Sequence, residues 1–290
     1  MRSVGLDRGL ANCPAIRPTF TAPNGRKTRD FEDICDEFAG FVAAHRTEGT
    51  WPGGIHIELT GDDVTECLGG AEEILDSQLD DPVEPPGATI RHLLAHAAGY
   101  AFDGPDPVTR PGVRRVYSNT GYEVLGARLA NASGIDVSTY VTQAILGPLG
   151  MTATDATGSP AKGFRSTVDD LARFAREMLR PTLVTQETAA EATRVQFGDL
   201  GGILPGVGRF SPNPWGLGPE IRDGKQPHWT GTTNSPATFG HFGGSGTFLW
   251  VDPAVGLACV MLGDREFGDW ALTHWPALSD AVVAELGGGG

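Results

Sequence analysis

The sequence predicts an α+β fold: an antiparallel sheet built from both ends of the chain, with a helical subdomain inserted in the middle. Three observations carry that prediction. "GIHIEL" at 54–59 alternates β-branched and polar residues, the period of a strand with one covered face. "FGHFGGSGTFLWVDPAVGLACVMLGD" at 239–264 is rich in β-formers, with turn residues at Pro253–Gly256. Between these two regions, apolar residues recur at helical spacing. If the strands at both ends form one sheet, the terminal parts of the chain must come together, with the helical middle as an insertion and a cleft between the two parts.

Taken in order, residues 1–27 hold scattered Gly, Pro, Asn and Arg and read as an arm. Residues 28–290 read as one domain, with a helical part at about 88–182 and a sheet part at about 28–60 and 236–290. "RDFEDICDEFAGFVAAHR" at 29–46 places Phe31, Ile34, Cys35, Phe38, Phe41 and Val42 on one helical face. A short helix is expected from a cap near Thr89 to Gly99. "GYEVLGARLANASG" and "DVSTYVTQAILGPLG" are two helices separated by Gly134. "STVDDLARFAREML" starts with a capping-box pattern at Ser166 and Asp169 and continues as an amphipathic helix. Residues 196–236 form a long loop region rich in Gly, Pro, Trp and Asn. Strands at 238–243, 246–252 and 256–262 should join the one at 55–59 in one mainly antiparallel sheet, and a closing helix from about Trp270 to Leu286 should pack on it.

The chain has 290 residues and a formal net charge of -14. That acidity argues against a nucleic-acid partner and against a polybasic membrane binder. No stretch reaches the length of a membrane span. The four cysteines, Cys13, Cys35, Cys67 and Cys259, follow no zinc spacing and need not pair. "GLANC" at 9–13 lacks the apolar run that a lipoprotein signal requires before it. A cytoplasmic location is therefore expected, with a small molecule as substrate or ligand. Neither cofactor nor metal is expected, and the sequence leaves the oligomeric state open.

"RRVYSNTGYEVLG" at 114–126 delivers Tyr117, Ser118 and Asn119 to the mouth of a helix. Together with "TIRHLLAHAAG", "STVDDLARF" and "GHFGGSGTFLWVDPAVGL", it resembles the serine β-lactamase and penicillin-binding protein family, especially its class C and esterase-like branch. The resemblance covers roughly residues 79–286. It implies a β-lactamase-like fold and acyl chemistry on an amide or ester, with a serine nucleophile beside the lysine of a Ser-x-x-Lys motif. Tyr117 and Asn119 match the family's Tyr-x-Asn motif: the tyrosine shares proton traffic and the asparagine holds the substrate amide. His241-Phe242-Gly243 matches the third motif, and Gly244 would supply an oxyanion-hole N–H.

The first motif departs from the pattern. The chain has only three lysines, Lys27, Lys162 and Lys225, and none lies where Ser-x-x-Lys belongs. The nearest echo is "DVTE", which sets Asp63 and Glu66 at the serine and lysine places; an ungapped count gives Glu58 and Gly61 instead. Carboxylates are poor acyl acceptors but can share a proton as an acid/base pair. The same residues also suit a helix start, where carboxylates cap. "SPAK" at 159–162 is a formal Ser-x-x-Lys, but it follows Tyr-x-Asn where the family pattern places it before.

Other candidates have plainer readings alongside the chemical ones. Ser118 and Ser245 could act as nucleophiles with His241 as base, or could simply bond backbone. Gly243, Gly244 and Gly246 would let a substrate approach the strand closely. Trp229 is expected as an apolar cleft wall. His92 and His96 share an i,i+4 metal spacing without the carboxylate that would complete it, so a core or capping role is expected.

Three functions follow: a divergent hydrolase acting on a small molecule, a catalytically dead binding protein, or a non-hydrolytic enzyme using Asp63, Glu66, Tyr117 and His241 for proton transfer. Tyr117, Asn119 and His241 are expected to converge on one pocket.

Overall fold

The computed structural model describes residues 79–287, together with the backbone of three earlier strands. These are β1 (Arg2–Leu6), β2 (Thr19–Phe20) and β3 (Ile55–Glu58). Then follow β4 (Pro82–Val83), β5 (Ala88–Thr89), helix α1 (Ile90–Leu94) and β6 (Arg115–Val116). Helix α2 is Asn119–Ser133, and α3 is Val137–Val141, which runs on as a π-helical turn at Thr142–Leu146. Helices α4 (Val168–Leu179) and α5 (Gln186–Thr193) precede β7 (Gly202–Leu204), β8 (Gly208–Phe210) and β9 (Glu220–Ile221). The chain closes with β10 (Phe239–Gly243), β11 (Thr247–Asp252), β12 (Leu257–Met261) and α6 (Asp269–Leu286).

The main sheet has the order β2-β1-β3-β12-β11-β10-β9, so strands from both chain ends meet as expected. Its ladders are antiparallel except at the junction, where β12 and β3 run parallel, Cys259 opposite Ile55 and Met261 opposite Ile57. β1, inside the stretch read as an arm, pairs antiparallel with β3. The fold is α+β. The helix read at 29–46 lies outside the described residues.

Period-2 alternation explains why the sheet is covered on both faces. On β11 and β12, Phe248, Trp250, Leu257, Cys259 and Met261 enter one core cluster with Ala271, Trp275, Leu278 and Val282 of α6. Their alternates Leu249, Val251, Ala258 and Val260 enter a second cluster with Leu171, Phe174 and Ala175 of α4. The closing helix therefore packs on the sheet as expected. α4 lies on the opposite face. A third cluster joins α1 and α2 through Leu93, Leu94, Tyr122 and Leu125.

The helix boundaries have identifiable local causes. α2 begins at Ser118, whose hydroxyl accepts the Gly121 N–H, and ends at Gly134 in the left-handed conformation. α4 is capped by Thr167, which accepts the Asp170 N–H, and not by Ser166 as the sequence pattern suggested. Ser166 instead pairs with the Thr154 hydroxyl at 2.7 Å. α1 is shorter than expected: His92 Nδ1 accepts the Thr89 N–H at 3.2 Å, tying the side chain back to the cap. Sequence reading assigned no helix at Gln186–Thr193; Thr185 caps it. No described helix is long and apolar enough to cross a membrane.

Candidate active site

The site is assembled at the end of β6. Arg115 is buried, and its guanidinium donates to the carbonyls of Asn213 at 2.6 Å, Gln196 at 2.8 Å and Ala95. One cation thus clips the end of α1 and two loop segments together. Burial lowers its pKa to about 10, so it remains charged at neutral pH. The next residues, Tyr117 to Asn119, turn the chain from β6 into α2.

His96 sits against them with φ +52, a conformation uncommon for a residue with a side chain. Its ring lies 4.4 Å from that of Tyr117, 5.1 Å from Tyr122 and 5.0 Å from Trp215. The Ser118 N–H donates to His96 Nδ1 at 3.1 Å. An accepting Nδ1 leaves the ring proton on Nε2 in a neutral imidazole. Burial holds the His96 pKa well below its usual value, and the neighbouring His241 and Arg115 push the same way.

His241 arrives from β10 on the opposite side, its ring 5.6 Å from Tyr117 and 5.7 Å from Trp215. Its Nδ1 bonds the Phe242 carbonyl at 2.7 Å. A carbonyl only accepts, so this nitrogen carries the proton and Nε2 is the basic one in the neutral ring. The register of β10 is fixed by close backbone approach at Gly240, where a Cβ would fall 2.1 Å from the Leu249 carbonyl oxygen. The turn after it needs Gly246, at φ +90, where a Cβ would fall 1.8 Å from the Arg265 carbonyl oxygen.

His96, Tyr117, Ser118, Asn119, Tyr122, Ala161 and His241 line one pocket. The residues expected to converge, Tyr117, Asn119 and His241, thus share one pocket, and Ser118 lies beside them. Gly243, Gly244 and Ser245 follow His241 at the hairpin, with open space beside Gly244: a Cβ there would meet nothing within 4 Å. The Ser118 hydroxyl is engaged, donating to the Ala101 carbonyl at 2.6 Å and accepting the Gly121 N–H at 3.1 Å.

Trp229 is not a cleft wall. It is 1% exposed in the core, 5.6 Å from Phe242 and 6.0 Å from Phe248. Its indole N–H is held by Glu220 at 2.9 Å, because a buried indole needs a partner. Asp63 and Glu66 lie outside the described residues. Sequence reading missed His96 and Tyr122 as pocket residues, and Trp215 behind them. Only the placement of Trp215 in the Trp- and Gly-rich loop hinted at it.

The β-lactamase family model matches residues 71–282. A β-lactamase from Mycobacterium bovis aligns with 49% identity over 80% of this chain and 90% of its own, with a TM-score of 0.77.

This chain belongs to the β-lactamase family.

More distant structures share the fold: a β-lactamase-like protein from Bacteroides dorei at 19% identity, covering 89% of this chain and 99% of that one, TM-score 0.61. A penicillin-binding protein homologue from Pyrococcus abyssi, described as octameric, has 19% identity over 78% of this chain and 71% of its own, TM-score 0.54.

The β-lactamase match does not extend to the first part of the chain. Residues 12–84 match the Class-II DAHP synthetase family. The phospho-2-dehydro-3-deoxyheptonate aldolase of Streptomyces coelicolor is 61% identical over 56 residues, 19% of this chain and 12% of that enzyme. The corresponding aldolase of Mycolicibacterium smegmatis is 56% identical over 61 residues, 21% of this chain and 13% of that enzyme. The chain thus spans about one eighth of the length of these two relatives. The two family matches overlap only at residues 71–84. Strand β3 of the β-lactamase sheet falls within the aldolase-like stretch, as do Asp63 and Glu66.

Proposed function

We propose that this β-lactamase-family chain binds a small polar acyl compound, an amide, ester or carboxylate, in the Tyr117–Asn119–His241 pocket without forming an acyl-serine. One observation carries the reading. The family's substrate-holding residue types line a common pocket, while the stretch where its Ser-x-x-Lys belongs carries the pattern of a different family. The pocket's binding groups, Asn119 and the open backbone near Gly244, need no nucleophile. An unassisted serine hydroxyl is almost wholly protonated at neutral pH and attacks carbonyls poorly. The similarity of residues 12–84 to an aldolase family also supports reading Asp63 and Glu66 as residues of that segment, not as substitutes for a serine and a lysine. Among the described residues Cys259 is a free, buried thiol, which together with the acidic composition supports a cytoplasmic setting.

A second reading has its own observation. The basic nitrogen of His241 is Nε2, and its ring lies 5.6 Å from the Tyr117 ring. A phenol and an imidazole at that spacing suit proton transfer to a bound ligand.

Incubation with a penicillin and with a fluorophosphonate, followed by intact-protein mass spectrometry, tests the proposal. No stoichiometric adduct is expected. One adduct mapped to Ser118, Ser159 or Ser245 would overturn it and establish a relocated nucleophile. Ligand turnover lost in Tyr117→Phe or His241→Gln, with binding retained, would favour the second reading.

A further inference from the structure

The side chain of Asp103 occupies the donor that the pocket would offer to a ligand. Asn119 is 6% exposed and lines the pocket, yet its amide Nδ2 donates to Asp103 Oδ1 at 3.2 Å. The same oxygen stands 3.9 Å from Lys162 Nζ. Lys162 follows Ala161, itself a pocket residue. A carboxylate of the chain is therefore held next to the pocket residue Asn119, between an amide donor and an ammonium group.

The main chain around Asp103 is fastened independently of its side chain. The Asn119 N–H donates to the Phe102 carbonyl at 2.8 Å, Thr120 Oγ1 to the Gly104 carbonyl at 3.0 Å, and Ser118 Oγ to the Ala101 carbonyl at 2.6 Å. The side chains of Asp103 and Lys162 are each 59% exposed. A pair that open to water adds little stability, so the Asp103 carboxylate can rotate into solvent while the loop stays in place. Vacating it frees two donors aimed at one point, matched to an anionic oxygen acceptor.

We propose that Asn119 Nδ2 and Lys162 Nζ form a subsite for the carboxylate of a small ligand, which Asp103 fills in the ligand-free protein. The proposal rests on the pocket reading given above and adds to it a ligand charge and two specificity-determining residues, Asp103 and Lys162. Ligand binding exchanges one carboxylate for another and breaks no covalent bond. Because Asp103 competes for the same donors and repels an anion, it weakens carboxylate binding in the native sequence.

The test uses N-acetylglycine and its uncharged counterpart N-acetylglycinamide, titrated into the full chain and followed by amide and side-chain NMR. N-acetylglycine should shift the Asn119 side-chain signal. It should bind about fivefold more tightly to Asp103→Ala and about fivefold more weakly to Lys162→Gln, ordinary changes for a partly exposed ion pair. N-acetylglycinamide should be affected by less than about twofold in either variant, because no full charge is exchanged. If both probes shift pocket signals with affinities that neither variant alters, the carboxylate subsite is overturned while the pocket reading stands. If neither probe shifts a signal from Tyr117, Asn119 or His241 in any variant, the pocket reading falls and the subsite with it. Unchanged melting temperatures verify that both variants fold, as expected for exposed side chains.

Discussion

The backbone N–H of Ser118 donates to Nδ1 of His96 at 3.1 Å, joining residues 22 positions apart beside the pocket. The bond assigns the imidazole its tautomer, and the tautomer makes the site sensitive to acid. Protonating His96 would put a hydrogen on the nitrogen that now accepts one. It would also place a buried charge near Arg115 and His241, the groups that already push its pKa down.

The folded protein therefore resists protonating His96 while the unfolded chain takes up the proton near its ordinary pKa of 6.5. The unfolded state binds more protons below that value, so this contribution is fully present above pH 6.5 and is lost as pH falls. Urea unfolding between pH 6.5 and pH 5 should show a loss of about 1–2 kcal/mol from this one group. His96→Gln, which cannot titrate, should show a correspondingly shallower pH dependence. Identical pH slopes in variant and native protein would refute the assignment.

Glu220 should be among the most sensitive positions. Burial would raise its pKa, but His228 and Lys225 pull it well below the usual carboxylate range. Lys225 Nζ donates to Glu220 Oε1, to the Ile221 carbonyl at 2.6 Å and to the Pro214 carbonyl at 3.1 Å. His228 Nε2 lies 3.0 Å from both carboxylate oxygens. Glu220→Gln leaves the Lys225 ammonium buried without its counter-charge and should cost about 3 kcal/mol or more in urea unfolding. Adding Lys225→Met should recover much of that loss, since a buried pair replaced as a unit is often nearly neutral.

Ser118→Ala removes the helix cap and one buried donor. A loss of about 1 kcal/mol in thermal or urea unfolding is expected. Fluorophosphonate labelling should be absent both before and after the change. A label present in the native protein and missing in the variant would make Ser118 the nucleophile.

Two hairpin glycines should behave oppositely. Gly246→Ala forces a Cβ to 1.8 Å from the Arg265 carbonyl oxygen at φ +90, and should lose about 2 kcal/mol or more. At Gly244 a Cβ would meet nothing within 4 Å, so Gly244→Ala should stay within about 0.5 kcal/mol of the native stability. Equal losses at the two positions would contradict the described turn.

The sequence alone determined the elements whose signal is local. Alternation in "TFLWVD" sends Phe248 and Trp250 to one side and Leu249 and Val251 to the other, whatever lies beyond them. Gly134 ends α2 because only a left-handed residue closes that turn. The family's motif order was equally legible, since Tyr117, Asn119 and His241 can be found by spacing. The tertiary structure decided what depends on distant chain. Trp229 sits in a loop with the composition of a cleft wall, yet Glu220, Phe242 and Phe248 draw it into the core. Thr167 caps α4 because the Ser166 hydroxyl is taken by Thr154, far back in the chain. His96 joins the pocket only because the turn at Ser118 folds over it, and Asp103 reaches Asn119 only because three hydrogen bonds to the carbonyls of its loop, one from backbone and two from side chains, hold it there. Such contacts are selected by packing and by the need to satisfy buried polar groups, and neither leaves a periodic trace in the order of residues.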